Sequence, residues 1–217
     1  MSFINEQRKV IGVGGFSSNA GKTTLMGELL LAFPGWEAIK TTRGHYRSCG
    51  KDPHVCCVSH LLGDAPVVRS GRNETYEAGK DTGRYWDAGA KNVHWLIATD
   101  TQVESGIIKT LQRVTSNGVF IEGNSFSQYV AVDAMILAVR ESQSVIKRSA
   151  KQALQKATAL YLWRDVNPDR NPDEIISALL NGDDDLRERA LSLPCYTVES
   201  LPDLVLSLRE LHQPVAA

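Results

Sequence analysis

The amino-acid sequence predicts an α/β protein of three layers, a mostly parallel sheet with helices on both faces. Short apolar segments of strand length alternate with segments in which apolar residues recur at helical spacing. This alternation favours a parallel sheet, because each helix returns the chain to the edge from which the next strand starts. Polar residues also follow several of the apolar segments, at the end of the strands where such sheets bind ligands.

The elements of the first half follow from local patterns. An apolar strand at 10–13 leads through a glycine-containing loop into a helix at 25–33, which Pro34 and Gly35 end. A second strand is predicted at 36–41, a short helix at 55–62 and a polar loop at 63–81. Asp81 or Thr82 is expected to cap a helix that runs to about residue 90. A buried strand at 93–98 then precedes a helix with a capping box from Thr101 to Glu104.

The second half continues the same alternation. The predicted strands lie at 119–121, 131–139, 159–163 and 195–198. The predicted helices lie at 149–157, 171–181, from 183–185 onward, and at 200–211. Asn171, followed by Pro172 and two acids, is a strong signal for a helix start.

Length and composition limit the function classes. The 217 residues suffice for one domain, so we predict a single domain over 1–217 with a Cys-, His- and Arg-rich insertion at about 43–80. A net charge of −1 gives no basis for a nucleic-acid or membrane surface. No apolar run approaches the roughly 20 residues that span a bilayer. The N-terminus also lacks the apolar centre of a secretion signal, so we expect a cytoplasmic protein.

The segment VIGVGGFSSNAGKTT at 10–24 carries the clearest chemistry. Gly-Lys-Thr between an apolar strand and a helix is typical of a loop whose backbone amides bind phosphate. Lys22 would then reach the β- and γ-phosphates, and the Thr23 hydroxyl would ligate Mg²⁺. Phe16 departs from the pattern G-x-x-x-x-G-K-[ST], which has a glycine there. The alternative is an ordinary strand-to-helix turn with an exposed lysine. The predicted nucleotide contacts in the loop are Ser17, Ser18, Asn19, Ala20, Gly21, Lys22, Thr23 and Thr24.

Charged residues near predicted strand ends are further candidates. Glu122 ends an apolar strand, where an acid is costly unless it meets a polar partner. We predict that it binds Mg²⁺ through water or orients the attacking water; the alternative is a capping or ion-paired acid. Asp81 is either a nucleotide-site acid or a helix cap. Lys40 and Arg43 follow the second strand and would meet a phosphate or an anionic substrate, or else are exposed charges.

Soft metal ligands and arginines concentrate between residues 43 and 84. Thiolate and imidazole suit zinc or an iron–sulfur cluster, with Cys195 or a second subunit completing the site. The alternatives are buried apolar cysteines or a redox-active pair. The arginines would bind an anionic second substrate or are ordinary surface charge. The ligand candidates are Cys49, Cys56 and Cys57 with His45, His54 and His60; the arginines are Arg43, Arg47, Arg69, Arg72 and Arg84.

Four blocks in residues 10–125 together resemble a known family. They are SNAGKTTL at 18–25, Ile39-Lys40-Thr41 followed by His45, GKDTGRYWDAGA at 79–90, and Ile121-Glu122-Gly123. Their order is similar to that in the molybdopterin-guanine dinucleotide biosynthesis adaptor protein B family, which are P-loop GTP-binding proteins. The third block matches that family's pattern G-K-D-[ST]-x-R-x-x-x-A-G-A closely.

The resemblance implies a P-loop NTPase fold and roles for particular residues. Lys22 and Thr23 would hold phosphate and Mg²⁺, Glu122 would lie near the metal or its water, and Asp81 and Arg84 would lie by the nucleotide or its partner molecule. The Cys-rich insertion is not a feature of that family, and no resemblance extends beyond residue 125. The guanine-reading Asn-Lys-x-Asp tetrapeptide is absent, since Trp163-Arg164-Asp165 follows the corresponding strand, so GTP and ATP both stay open.

Three function classes follow from the sequence. The leading hypothesis is a P-loop protein that hydrolyses GTP or ATP slowly with Mg²⁺ and serves cofactor or metal-centre assembly, molybdenum cofactor biosynthesis included. Its expected partners are a nucleotide, an anionic small molecule or cofactor precursor, a partner protein and a second copy of the chain. The alternatives are a small-molecule kinase that transfers the γ-phosphoryl group to an anionic acceptor, and a non-enzymatic binding module ordered by nucleotide.

Overall fold

The computed structural model describes residues 8–44 and 58–211, with only the backbone described for Ser59. Its centre is an eight-stranded sheet in the order β3-β4-β2-β5-β1-β6-β7-β8. Neighbouring strands are parallel except for the antiparallel pair β3–β4. The strands are β1 Lys9–Gly15, β2 Glu37–Arg43, β3 Val67–Ser70, β4 Val93–Ala98, β5 Gly118–Glu122, β6 Ala134–Arg140, β7 Ala159–Trp163 and β8 Cys195–Tyr196. This architecture confirms the predicted fold class.

Helices cover both faces of the sheet. They are α1 Lys22–Ala32, α2 Arg72–Thr75, α3 Asp81–Asp87, α4 Val103–Leu111, α5 Arg148–Leu154, α6 Pro172–Leu179, α7 Asp184–Leu191 and α8 Leu201–Glu210. Successive strand residues point to opposite faces of the sheet, so the side chains of one strand pack into two hydrophobic cores. Ile11 packs with α1, α3 and α8, whereas Val10 packs in the core that holds α4 to α7. Among the described residues, no helix combines the length and hydropathy needed to cross a bilayer.

Two local expectations were wrong. α3 begins at Asp81 itself, with Lys80 at the N-cap position, so the Asp81 carboxylate does not cap the helix. The predicted capping box at α4 is not formed: Gln102 is the N-cap residue, without a side-chain cap hydrogen bond. Instead Gln102 Oε1 accepts a hydrogen bond from the Thr99 N–H at 3.1 Å. The Asn171 cap is confirmed, since its Oδ1 accepts from the Asp173 N–H at 2.9 Å.

The segment predicted as a polar loop contains regular structure. β3 pairs with β4 at the edge of the sheet, and α2 follows it directly. A four-residue edge strand with half-buried side chains has too few residues to show an alternating pattern. Of the short helix predicted at 55–62, the described part is a single 3-10 turn, Ser59–Leu61.

A buried polar network lies near the amino end of β2. Glu37 and His94 are both 0% exposed, and Glu37 Oε2 lies 2.7 Å from His94 Nε2. The other ring nitrogen of His94 lies 2.8 Å from the Ser70 hydroxyl. Glu37 Oε1 accepts from the N–H groups of Thr115 and Ser116, each at 2.8 Å. Burial raises the pKa of Glu37, but these hydrogen bonds outweigh it and hold the pKa at about 2.

Candidate functional site

The loop between β1 and α1 starts from a fixed point. Phe16 is 0% exposed and belongs to the core on the α4–α7 face, so its side chain lies under the loop rather than in it. The Phe16 N–H donates to Ala138 O at 3.0 Å. Asn124 holds Gly15 on both sides: its Oδ1 accepts from the Gly15 N–H at 2.9 Å, and its Nδ2 donates to Gly15 O at 3.0 Å. Phe16, which stands where the phosphate-binding pattern has a glycine, is therefore a residue of the hydrophobic core.

The loop curls around the ammonium of Lys22. Lys22 Nζ donates to Ser17 O at 2.8 Å and to Ser18 O at 3.1 Å. The backbone N–H groups of residues 21–24 donate to no acceptor within the described parts of the chain. These N–H groups open a helix, where the backbone dipoles favour negative charge. The loop thus presents free donors and a lysine at one point, which is the arrangement that binds phosphate.

The turn into α1 depends on Gly21. Its φ of 85° lies in the left-handed region, which side chains rarely adopt. A Cβ atom there would lie 2.2 Å from Trp163 Nε1, so the indole at the end of β7 packs directly against the loop. Within the part of the chain that the structure describes, the buried Trp163 N–H has no hydrogen-bond partner. A residue other than glycine would move either the loop or the indole.

The register of the sheet places an acidic residue, Glu122, next to a basic residue, Lys40. Glu122, the last residue of β5, is in register with Val13 on one side and with Lys40 on the other. Phe120, two residues earlier, packs on the face covered by α1 and α3, so Glu122 points to the same face. The Glu122 side chain is 2% exposed and that of Lys40 is 17% exposed. Such burial of an acid requires that it be paired.

The pairing joins α1, α3, β2 and β5. The Thr23 hydroxyl lies 3.0 Å from Asp81 Oδ1 and 3.0 Å from Glu122 Oε2, so its one proton serves one carboxylate at a time. The buried Tyr85 hydroxyl donates to the same Glu122 oxygen. The Lys40 ammonium donates to Glu122 Oε1 and lies 2.5 Å from Asp81 Oδ2. Two carboxylates, one hydroxyl and one ammonium therefore share a small volume next to the loop.

Electrostatics set the protonation of this group. Burial and the nearby charge of Lys40 lower the pKa of Lys22, so an incoming anion would stabilise its charged form. Burial also lowers the pKa of Lys40, but the carboxylates of Glu122 and Asp81 outweigh it and raise the pKa. Burial raises the pKa of Asp81, and the Lys40 charge and hydrogen bond more than reverse this. Burial and the charge of Glu122 raise the pKa of Tyr85 well above 10, so its hydroxyl stays a donor.

The donor set fits a magnesium ion. The Thr23 hydroxyl and the carboxylates of Asp81 and Glu122 are oxygen ligands, which Mg²⁺ prefers, and water and phosphate oxygens complete its shell. The Lys40 ammonium already lies between the two carboxylates as a cation. The site offers two carboxylates, and nowhere among the described residues do three His, Cys, Asp or Glu side chains group as metal ligands.

The predicted zinc or iron–sulfur site falls largely outside the described residues. Cys49, Cys56 and Cys57, with His45 and His54, belong to 45–57, so this prediction stays untested. Cys195 lies in β8, at the opposite end of the sheet from β3.

Basic side chains line the cleft around the loop. The cleft encloses about 1440 Å³ and includes Arg43, Arg69 and Arg84, while Arg47 lies outside the described residues. Arg84 Nη2 donates to the Thr24 hydroxyl at 3.3 Å, and Arg43 pairs with Asp100 at 2.8 Å. Arg72 instead stacks over Tyr76 at 4.1 Å.

Three residues of the site were missed by sequence reasoning. Lys147 Nζ donates to the Ser18 hydroxyl at 2.6 Å, and no local pattern around residue 147 indicates this contact. Tyr85 occupies a helix position typical of core packing. Asn124 lies two residues beyond the end of β5, and this place beyond a strand end was the signal that could have found it. Of the predicted loop contacts, Ala20 is buried, whereas Ser18 and Asn19 are exposed on the cleft.

Comparison with known proteins gives structural matches only. No family model matches the sequence, and no curated protein matches it. A structure of LpxK from Aquifex aeolicus in complex with ATP is similar, with a TM-score of 0.50 and 16% identity, covering 88% of this chain and 53% of that chain. A zinc-bound triple mutant of the YjiA GTPase gives a TM-score of 0.39 and 14% identity, over 88% of this chain and 57% of that chain. The chain thus spans about half the length of the solved structures it matches. The likeness to the LpxK structure is one of fold, an α/β fold built on a mostly parallel sheet.

Proposed function

We propose that this chain is a P-loop protein that binds a Mg²⁺–nucleoside triphosphate, GTP or ATP, and hydrolyses it slowly. One observation carries the proposal. The free N–H groups at the start of α1 and the Lys22 ammonium meet next to an oxygen-lined cation site formed by Thr23, Asp81 and Glu122. A polyphosphate with its metal needs these two parts side by side. The fold shared with an ATP-bound LpxK structure supports the same reading.

The residues of the site would have separate roles in phosphoryl transfer. The loop amides and Lys22 would bind the phosphates, once the ammonium leaves Ser17 O and Ser18 O. Thr23 and the two carboxylates would hold Mg²⁺, which supplies charge neutralisation at the β- and γ-phosphates. Glu122, held by Tyr85 and Lys40, would orient the attacking water. Arg84, already at Thr24, would contact the nucleotide from the rim.

The biological role is inferred from the resemblance in residues 10–125. A molybdopterin-guanine dinucleotide adaptor-like protein would use its nucleotide state to serve cofactor or metal-centre assembly in the cytoplasm, with a partner protein or as a homodimer. The Cys- and His-rich stretch at 45–60 would then be the place for a zinc ion or an iron–sulfur cluster. Metal analysis and an absorption spectrum of anaerobically purified protein test this part. No bound metal and no charge-transfer band would exclude it.

A small-molecule kinase is the second candidate, favoured by the basic lining of the cleft. Arg43, Arg69 and Lys80 line it beyond the loop, in a chain whose net charge is −1. They suit an anionic acceptor, whose hydroxyl or carboxylate oxygen would attack the γ-phosphorus in place of water. The bond to the nucleoside diphosphate breaks as the new P–O bond forms, and the acceptor's proton, where it has one, passes to solvent.

Nucleotide binding by a lysine variant tests the core of the proposal. Lys22→Ala should abolish binding of a fluorescent GTP or ATP analogue with Mg²⁺, because it removes the charge that the loop surrounds. Lys109→Ala is the control, since Lys109 is exposed on α4 and makes no described side-chain contact. Unchanged affinity in Lys22→Ala would refute the loop assignment. Turnover without acceptor supports the hydrolase, acceptor-dependent turnover the kinase, and tight binding without turnover the binding module.

A further inference from the structure

Lys40 occupies an unusual position for a lysine in a strand. Its side chain is 17% exposed, and its ammonium contacts both carboxylates of the cation site described above. β2 is fixed at this level, since the Thr41 hydroxyl donates to Glu122 O at 2.7 Å. The backbone of β2 is thus tied to β5 beside Lys40, and a lysine side chain can change its rotamer without breaking that tie. The ammonium satisfies the two acids as a metal ion would, but with one positive charge in place of two.

We propose that Lys40 gates the divalent-cation site: its ammonium holds the place between Asp81 and Glu122 until the phosphates of a nucleotide draw it away. This inference rests on the proposed nucleotide binding. An ammonium and a divalent cation cannot share the same two carboxylate oxygens, because like charges at such distances repel strongly. The cation alone must therefore displace Lys40 without offering it another anion. When nucleotide and cation bind together, the cation takes the two carboxylates and the phosphates give the Lys40 ammonium another anion. The two ligands therefore bind cooperatively.

The geometry around the site supports this order of events. Lys40 and Thr23, the residue that follows Lys22, contact the same Glu122 carboxylate, and both lysines line the same cleft. A phosphate bound by Lys22 therefore lies within the influence of Lys40. A lysine that only stabilised the buried Glu122 carboxylate would make the same contacts as a gating lysine. Replacing such a lysine would not tighten metal binding. The direction of the change in metal affinity separates the two roles.

Titration with Mn²⁺ alone tests the gate, since free Mn²⁺ is measured directly by electron paramagnetic resonance. Without nucleotide, Lys40→Met should bind Mn²⁺ at least about tenfold more tightly than the unaltered protein, because one positive charge leaves the site. Lys40→Gln should change in the same direction, and its amide can still donate to a carboxylate if the methionine variant does not fold. Lys151→Met is the matched control: it removes a lysine that is paired at 2.8 Å with Asp183 and is not among the residues that line the cleft. Adding Glu122→Gln to Lys40→Met should abolish the gain.

The outcomes separate this inference from the proposed function. Tighter Mn²⁺ binding in the Lys40 variants, with Lys151→Met unchanged, supports the gate. Equal or weaker Mn²⁺ binding in folded Lys40 variants, while the unaltered protein binds Mg²⁺–nucleotide, overturns the gate and leaves the proposed function standing. An unaltered protein that binds no nucleotide refutes the proposed function, whatever the Mn²⁺ titrations give. Circular dichroism establishes which variants are folded.

Discussion

Replacing Phe16 tests whether this position belongs to the nucleotide loop or to the core. The phosphate-binding pattern has a glycine there, so Phe16→Gly looks like a repair of the motif. The structure predicts the opposite, because the Phe16 ring is 0% exposed and packs in the core of the α4–α7 face. Removing a fully buried phenylalanine side chain destabilises a protein by about 3–5 kcal/mol. Phe16→Ala should lose this much, and Phe16→Gly about 0.5–1 kcal/mol more through backbone freedom.

Urea unfolding followed by circular dichroism measures this loss. Tyr129→Ala is the control, since Tyr129 is an aromatic residue that is 41% exposed, and its change should stay within about 0.5 kcal/mol. Nucleotide affinity, measured on the fraction that stays folded, should not improve in either Phe16 variant. A Phe16→Gly protein that is as stable as the unaltered one, or that binds nucleotide more tightly, would show that the ring is not a core element.

Three further predictions follow from named contacts. Glu122→Gln should slow nucleotide turnover about a hundredfold while nearly sparing the affinity for nucleotide without divalent cation, measured by single-turnover hydrolysis beside a nucleotide titration; unaltered turnover would count against its role. Gly21→Ala should destabilise the protein more than Gly35→Ala in urea unfolding. Both glycines have a φ of 85°, but only at Gly21 would a Cβ meet Trp163, and equal losses would contradict this. The free energy of unfolding should also fall by up to about 3 kcal/mol as the pH drops from about 4.5 to 2, because the folded pKa of Glu37 lies below its unfolded value. Glu37→Gln should lose this part of the pH dependence, and an unchanged slope would exclude Glu37 as its source.

Local patterns predicted the parts of the fold in which sequence neighbours decide the structure. The strands at 93–98 and 159–163 were predicted with their observed bounds, because each is an apolar run between turn residues. The Asn171 cap was found because a cap, its proline and its acids lie within four consecutive residues. β3 was missed because it is a short edge strand that exists through its pairing with β4.

Site residues could be predicted where a local motif or a strand end marks them. They could not be predicted where contacts between distant parts of the chain bring them together. Lys22, Thr23 and Glu122 were identified from a motif and a strand end. Asp81 looked equally like a helix cap. The structure excludes the cap, because α3 begins at Asp81 itself, and places the carboxylate beside Thr23 and Lys40. The contact of Tyr85 with Glu122 joins residues 37 positions apart, across a helix and a strand, and no local pattern encodes it.

The attachment of the loop at Gly15 and Phe16 determines where it can flex. Both backbone groups of each residue are hydrogen-bonded, to Asn124, to Ala138 and to the N–H of Lys147. Beyond them, the carbonyls of Ser17 and Ser18 accept hydrogen bonds from the ammonium of Lys22. If a phosphate takes over that ammonium, as proposed, the segment 17–21 loses these bonds, whereas Gly15 and Phe16 keep theirs. A change of shape on binding would then be limited to five residues, with the sheet beneath them left as it is.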